Sequence, residues 1–175
     1  MQAKLTYADY ARIPDDGKRY EVLEGGLLVT PAPGTAHQRV SYRLQHQLVV
    51  YFESRGLGEV FAAPIDVILS DHDILQPDLV VARPGQISKR GIEGSPLLVV
   101  EILSPSTERR DRTSKASRYA TLSVPHLWFV DPDRRIVECH RLEGARYVLA
   151  TRGSEGSLPH PDLPGLVLDL DQLWR

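Results

Sequence analysis

The sequence has little of several features that would assign a protein to a class at once. Its 175 residues include a single cysteine, Cys139, which excludes an intrachain disulfide and a cysteine-rich zinc site. No apolar run approaches the roughly 20 residues that a membrane-spanning helix needs. The first residues, MQAKLTYADY, lack the apolar centre of a signal peptide. These absences predict a soluble cytoplasmic protein that has no membrane partner.

An excess of charge of one sign is also missing. The formal net charge is -2, and charged and hydrophobic residues make up 25% and 42% of the chain, as in an ordinary globular protein. Because the chain as a whole is not a polycation, nucleic-acid binding would need a local basic patch or metal ions. The length predicts one domain over residues 1–175.

Two helices and many short strands are predicted. The first helix covers residues 35–54, where Thr35 and Gln38 have capping-box spacing and apolar residues recur from Val40 at helical intervals. The second covers residues 108–122. β-Branched and apolar segments predict strands at 19–23, 27–30, 59–63, 66–69, 78–82, 97–103, 126–130, 136–141 and 146–150. This order predicts a mixed α/β (α+β) fold with a central mixed sheet flanked by helices.

Two acidic residues stand in apolar strands. Glu101 lies within LLVVEILS, and Asp78 follows Pro77 at the start of a run of leucine and valine. A glutamate near a strand end can simply reach solvent. However, a buried carboxylate needs a hydrogen-bonding or cationic partner, and two carboxylates brought together repel unless a proton or a cation lies between them. Oxygen ligands of this kind suit Mg²⁺ or Mn²⁺.

Lys115 is the third candidate. On the second helix Asp111, Lys115 and Tyr119 share one face, so the ammonium group is either exposed and paired with Asp111 or directed inward to the acids. Two further candidates are more ambiguous. Strand alternation alone allows Glu21 to face solvent, and His37, in the first turn of the long helix, could equally be a packed or a surface residue.

Together these segments resemble the Uma-two family of putative restriction endonucleases, within the PD-(D/E)xK nuclease superfamily. The similarity extends from about residue 7 to residue 141. It is carried by YEVLEGG, PAPGTAHQRV, QPDLVVA, LLVVEILSPST and VPHLWFVDP, with Asp111, Lys115 and Tyr119 between the last two. The resemblance implies a restriction-endonuclease-like fold with an αβββαβ core, to which this chain adds an N-terminal hairpin and C-terminal strands.

The same resemblance implies a site. Asp78, Glu101, the backbone carbonyl of Ile102 and Glu21 would bind Mg²⁺ or Mn²⁺, and Lys115 would act with Asp78, Glu101 and Glu21 in catalysis. The superfamily lysine normally stands two positions after the glutamate, where this chain has Leu103, so it would have moved to the following helix. His37 and Arg112 would bind the substrate, whereas Arg110 is expected to be a solvated helix residue.

The implied function is metal-dependent hydrolysis of phosphodiester bonds in nucleic acid, with DNA as the expected substrate. A homodimer is expected, because cutting two strands calls for two sites and because edge strands and the apolar tail ending at Leu173 and Trp174 could form a two-fold interface. Two alternatives remain. The chain could be a nuclease-like interaction module with little turnover, or a hydrolase of a small phosphoester with a closed pocket.

Overall fold

The computed structural model describes residues 3–175, which form two six-stranded mixed sheets, a two-stranded antiparallel sheet near the C-terminus, and five α-helices. The helices are α1 (Tyr7–Tyr10), α2 (Thr35–Phe52), α3 (Glu108–Arg110), α4 (Ala116–Thr121) and α5 (Leu170–Leu173), with a π-helical stretch over Asp111–Lys115 and a 3₁₀ turn over Pro84–Gln86. The strands are β1 (Arg19–Leu23), β2 (Gly26–Thr30), β3 (Glu59–Ala62), β4 (Val67–Ser70), β5 (Asp73–Leu75), β6 (Leu79–Ala82), β7 (Ile87–Ser88), β8 (Gly91–Glu93), β9 (Leu98–Ile102), β10 (His126–Asp131), β11 (Ile136–Glu143), β12 (Arg146–Gly153), β13 (Ser157–Pro159) and β14 (Val167–Asp169).

The core sheet has the order β12-β11-β10-β9-β6-β3. Only β9 and β10 are parallel, and the helical segment between them forms the crossover that a parallel pair requires. Read along the chain, α2, β3, β6, β9, α4 and β10 follow the αβββαβ order. The predicted fold class, a mixed sheet flanked by helices, is confirmed.

A second six-stranded sheet was not predicted. Its order is β2-β1-β5-β4-β8-β7, so the N-terminal hairpin joins strands that are inserted between β3 and β9. The segment predicted at 66–69 forms β4 and lies in this second sheet, because it pairs with β5 and β8. The inserted strands β5, β7 and β8 have only two or three residues each, which is too short for a periodic pattern in the sequence.

Because side chains alternate along a strand, the two faces of the core sheet pack in different hydrophobic clusters. From β9, Leu98, Val100 and Ile102 pack with α2, whereas Val99 and Leu103 pack with Tyr119 of α4 on the opposite face. Glu101 has the parity of Val99 and Leu103, so its side chain leaves the sheet on the α4 face.

The C-terminal tail packs onto its own chain. Leu166, Leu168, Leu170 and Leu173 are buried in the same cluster as the inner face of α2. Leu173 is therefore unavailable for the two-fold interface that the sequence suggested. None of the helices within residues 3–175 combines the length and the apolar character needed to cross a membrane.

Helix ends and helix type also differ from the prediction. Gly34, not Thr35, is the N-cap of α2, and no side chain caps it. The second helix is interrupted at Asp111–Lys115 by a π-helical stretch, a feature frequently found at functional sites.

Candidate active site

Asp78 and Glu101 meet at one end of the core sheet because their strands are neighbours. Asp78 immediately precedes β6, which pairs antiparallel with β9 through Leu79 and Val100. The Ile102 N–H donates to Asp78 Oδ2 at 2.7 Å. In an extended strand the N–H and C=O of one residue point to the same neighbouring strand. The Ile102 carbonyl is therefore directed to the Asp78 side of β9, as a third metal ligand would need.

Lys115 reaches the acids from the π-helical stretch. Its Nζ lies 2.9 Å from Glu101 Oε1, 3.0 Å from Glu21 Oε1 and 3.7 Å from Asp111 Oδ1. Only 3% of its side chain is exposed. The reading of Lys115 as an exposed lysine is therefore wrong, and its pairing with Asp111 occurs inside the protein.

Glu21 comes from the second sheet. It lies on β1, is 1% exposed, and accepts hydrogen bonds from the Gln76 N–H at 2.7 Å and from Thr30 Oγ1 at 2.9 Å. The cluster thus joins the two sheets, since Asp78 and Glu101 belong to the core sheet. Solvent exposure, which strand parity allowed for Glu21, does not occur because its side chain faces Lys115 and lies in the cavity that Glu101 of the core sheet also lines.

Burial and mutual repulsion govern the protonation of the cluster. Burial raises the pKa of Glu101 to about 8, with the neighbouring carboxylates adding to a shift that Lys115 opposes. Burial also raises the pKa of Asp111. Burial opposes the charge on Lys115 as well, but the surrounding carboxylates outweigh it and hold the pKa of Lys115 above its ordinary value. Lys115 is therefore a permanent cation.

This donor set fits a hard divalent cation. Four carboxylates, from Glu21, Asp78, Glu101 and Asp111, line one cavity together with a single lysine. Lys115 contacts three of these carboxylates, and the raised pKa of Glu101 follows first from burial and then from the neighbouring acids. Carboxylate and carbonyl oxygens with no cysteine are the ligands preferred by Mg²⁺ and Mn²⁺.

The cavity that holds these groups has a volume of about 280 Å³. The N-terminal turn of α2 forms one wall, and His37 Nε2 lies 3.2 Å from Asp78 Oδ2. A second cavity of about 270 Å³ shares Arg19, Pro33, His37 and Asp78 with the first and extends along α2 to Tyr42. The shared residues place the two cavities side by side at Asp78.

The arginines are placed differently from the expectation. Arg112 donates to Glu108 and Glu138, covers the Phe129 ring, and is absent from the lining of the cavity. Arg110, expected to be solvated, is half-buried and lines the cavity. Its Nε is buried without a hydrogen-bond partner among the described residues.

Sequence reasoning missed several other residues of the site. Tyr119, expected only as a core residue, donates its hydroxyl to Glu101 Oε1 at 2.8 Å. Arg19 lines both cavities and donates to the backbone carbonyl of Gln76 at 2.9 Å. Asp111 was noted as a helix partner of Lys115 and as part of the family resemblance, but no role in the site was predicted for it. Its four-residue spacing from Lys115 is the one signal that could have indicated its place in the cluster.

Comparison with known proteins shows the family and the fold of the chain. A family described as Uma2, putative restriction endonuclease, matches residues 7–171. The chain belongs to this family. Among solved structures, a crystal structure at 1.96 Å of a putative nuclease belonging to DUF820 from Anabaena variabilis ATCC 29413 superposes with a TM-score of 0.78. That superposition covers 97% of each chain at 19% sequence identity and shows that the fold is shared. No curated protein matches the chain.

Proposed function

We propose that this Uma2-family protein is an endonuclease that hydrolyses phosphodiester bonds in DNA with Mg²⁺ or Mn²⁺. The observation that carries the proposal is the meeting of four carboxylates and one buried lysine in a single cavity. Family membership supports a nuclease in general, whereas the metal and the substrate are inferred from the chemistry of the donor set.

Asp78, Glu101, Glu21 and the Ile102 carbonyl are the groups proposed to hold the cation. Both carboxylate oxygens of Glu21 already accept hydrogen bonds, but a carboxylate has about four lone-pair sites, so capacity to bind an ion remains. When bound, the ion supplies a Lewis acid for a phosphate oxygen and lowers the pKa of its water.

Lys115 is proposed to act as a fixed positive charge. Because its pKa is held above the ordinary value, it cannot accept a proton at neutral pH and is unsuited to be a general base. It can donate a hydrogen bond to a water or to the oxygen on which negative charge grows. The Tyr119 hydroxyl fixes the other contact of Glu101 Oε1, so Lys115 and Tyr119 hold that carboxylate in one orientation.

Arg110 and His37 are proposed to contact the substrate phosphates. Arg110 has no carboxylate within salt-bridge distance among residues 3–175, and its Nε has no partner there, so its donors are available to an anion. His37 approaches from the facing helix, beside Asp78. Arg112 has no such role in this proposal because Glu108 and Glu138 occupy its guanidinium group.

The shape of the site favours a polymer over a small phosphoester. A small substrate would be enclosed in one pocket, whereas here a second cavity shares Arg19, His37 and Asp78 with the first, from which we infer a groove across Asp78. A strand of nucleic acid can follow such a groove with successive phosphates near Arg110 and Arg19. Cutting both strands of a duplex needs two such grooves, so a homodimer remains part of the proposal. Light scattering after gel filtration would measure it.

The test compares purified Asp78→Asn and Glu101→Gln with the wild type on single-stranded, duplex and branched DNA and on RNA, in Mg²⁺ and Mn²⁺. Cleavage is expected to fall by roughly 100-fold or more in both variants, because each removes a proposed ligand of the ion. Glu138→Gln is the control, because it removes an acid outside the cavity. Unfolding curves show whether each variant is folded.

Two outcomes would overturn the proposal. Cleavage that persists unchanged in both Asp78→Asn and Glu101→Gln would exclude their role as ligands. A wild type that binds nucleic acid without cleaving any of these substrates would instead identify the non-catalytic interaction module that the sequence left open.

A further inference from the structure

A second group of possible metal ligands lies on the opposite side of the core sheet. One ligand atom from each of His126, His160 and Asp162 falls within 4.8 Å of the others. His126 begins β10, and its parity is that of Trp128 and Val130, which pack on the α2 face. Glu101 leaves the sheet on the α4 face. The group is therefore separate from the proposed active site.

The two imidazoles are held close together by packing. His160 is 5% exposed and stacks on Trp128 with a centroid distance of 5.2 Å. The rings of His126 and His160 meet edge to face at 5.5 Å. The backbone N–H of His160 donates to the Leu166 carbonyl at 3.0 Å, and this hydrogen bond closes the loop that carries Asp162. The group is thus held by the core sheet and by an anchored loop.

These imidazoles lack the partners that buried nitrogens normally have. Within residues 3–175, His160 Nε2, His126 Nδ1 and the neighbouring Trp128 Nε1 are buried and accept or donate no hydrogen bond. Such atoms are rare in native proteins, and a bound water or ion is a usual reason for them. Burial lowers the pKa of His126, and burial together with His126 lowers the pKa of His160 to about 4. Both rings are therefore neutral at physiological pH, which is the form that binds metals.

We propose that His126, His160 and Asp162 form a zinc site that joins the C-terminal loop to the start of β10. Two imidazoles and one carboxylate are a ligand set of Zn²⁺, and the exposed Asp162 gives the group a side open to solvent. Mg²⁺ is disfavoured because it prefers oxygen ligands. This site differs from the proposed active site in both position and metal preference.

Zn²⁺ must replace two weak contacts. The backbone N–H of Asp162 donates to His160 Nδ1 at 3.2 Å, which is a long hydrogen bond. This contact is lost if the metal binds Nδ1. It is also lost if the metal binds Nε2, because the ring proton then moves to Nδ1. Asp162 also lies 3.2 Å from Arg141, but Arg141 keeps Glu143 at 2.8 Å as an alternative partner. One metal thus exchanges these contacts for three coordinate bonds.

The experiment is a Zn²⁺ titration of the full-length wild type in excess Mg²⁺, followed by the nitrogen shifts of the histidine side chains in NMR spectra. The signals of His126 and His160 are expected to move with the first equivalent bound at this site, and the coordinated nitrogen of each ring is identified directly. Because the signals are residue-specific, Zn²⁺ bound at the acidic cavity does not interfere. The result does not depend on nuclease activity.

Three variants complete the test, with affinity measured by competition against a chromophoric chelator. Asp162→Asn keeps the size and the backbone of an exposed residue, and His126→Gln removes one imidazole. Both are expected to weaken Zn²⁺ binding at this site by about 10-fold or more. His46→Gln, an exposed histidine on α2, is expected to bind as the wild type does. Unmoved His126 and His160 signals, or equal affinity in His126→Gln and wild type, would overturn the proposal.

Discussion

Replacing Lys115 by methionine tests the charge balance of the acidic cavity. Methionine keeps much of the apolar length of lysine but removes the ammonium group, which lies 2.9 Å from Glu101 and 3.0 Å from Glu21. Removing one partner of a buried ion pair costs about 3–5 kcal/mol, because the remaining charge stays buried without compensation. We expect a loss of this size in the free energy of unfolding at pH 8 with EDTA, measured by urea denaturation.

The electrostatic cause can be separated from lost packing by adding Mg²⁺. A ligand that binds only the folded state at 100 times its Kd adds about 2.7 kcal/mol of stability. Since Lys115→Met raises the surplus of negative charge, the variant should bind Mg²⁺ more tightly than wild type and regain more stability at the same concentration. Lowering the pH towards 5 should act in the same direction, because a proton then neutralises Glu101.

Arg118→Met is the matched control for Lys115→Met. Arg118 Nε donates to Asp73 Oδ1 at 2.8 Å, and its Nη2 donates to Oδ2 at 2.6 Å, so the variant also leaves a buried carboxylate unpaired. This pair lies outside the lining of the cavity. Arg118→Met should therefore lose stability without a stronger response to Mg²⁺. The reasoning is refuted if Lys115→Met is as stable as wild type, or if Mg²⁺ restores both variants equally.

Two further predictions concern the same cavity. Because the pKa of Glu101 rises from 4.5 to about 8 on folding, the group stabilises the folded state below pH 4.5, and this contribution disappears between about pH 4.5 and pH 8. In EDTA the free energy of unfolding of the wild type should fall across that pH window relative to that of Glu101→Gln. Saturating Mg²⁺ should remove this difference. Parallel curves of unfolding free energy against pH in EDTA would contradict the prediction. Arg110→Ala should weaken DNA binding about 10- to 100-fold in Ca²⁺, since a charge-assisted hydrogen bond contributes about 1.5–3 kcal/mol. The exposed Arg109→Ala should bind as the wild type does. Equal binding of the two variants would remove Arg110 from the substrate contacts.

The pair of acids on the core sheet could be predicted from the sequence. Pro77 before Asp78 marks the start of a strand, and the apolar neighbours of Glu101 mark a strand that is buried on both faces. Alternation then directs Asp78 and Val80 to the same face of β6, and Val99 and Glu101 to the corresponding face of β9. These local patterns are sufficient to bring the two carboxylates together once the strands pair.

The residues supplied by other elements were harder to predict, because their positions depend on contacts between distant segments. Glu21 reaches Lys115 because its strand β1 pairs with β5 in the second sheet, and strands as short as β5 leave no periodic signal. Helical periodicity could not separate Arg110 from Arg112 either, since the π-helical stretch begins between them and changes the angle per residue. The sequence therefore predicted the helix, but not that Arg110 lines the cavity while Arg112 lies outside its lining.

The packing of β9 gives a physical reason for leucine and not lysine at position 103. Leu103, two positions after Glu101, shares the face of Glu101 and is 5% exposed among Leu127, Phe129 and other apolar side chains. An ammonium group there would be surrounded by carbon and would lose solvation without gaining a carboxylate. The helix after β9 packs against this same cluster through Tyr119 and therefore passes close to Glu101. This position lets Lys115 of the same helical segment contact Glu101. Leucine at 103 and lysine at 115 thus form one arrangement, in which the apolar cluster holds the helix and the helix places the cation.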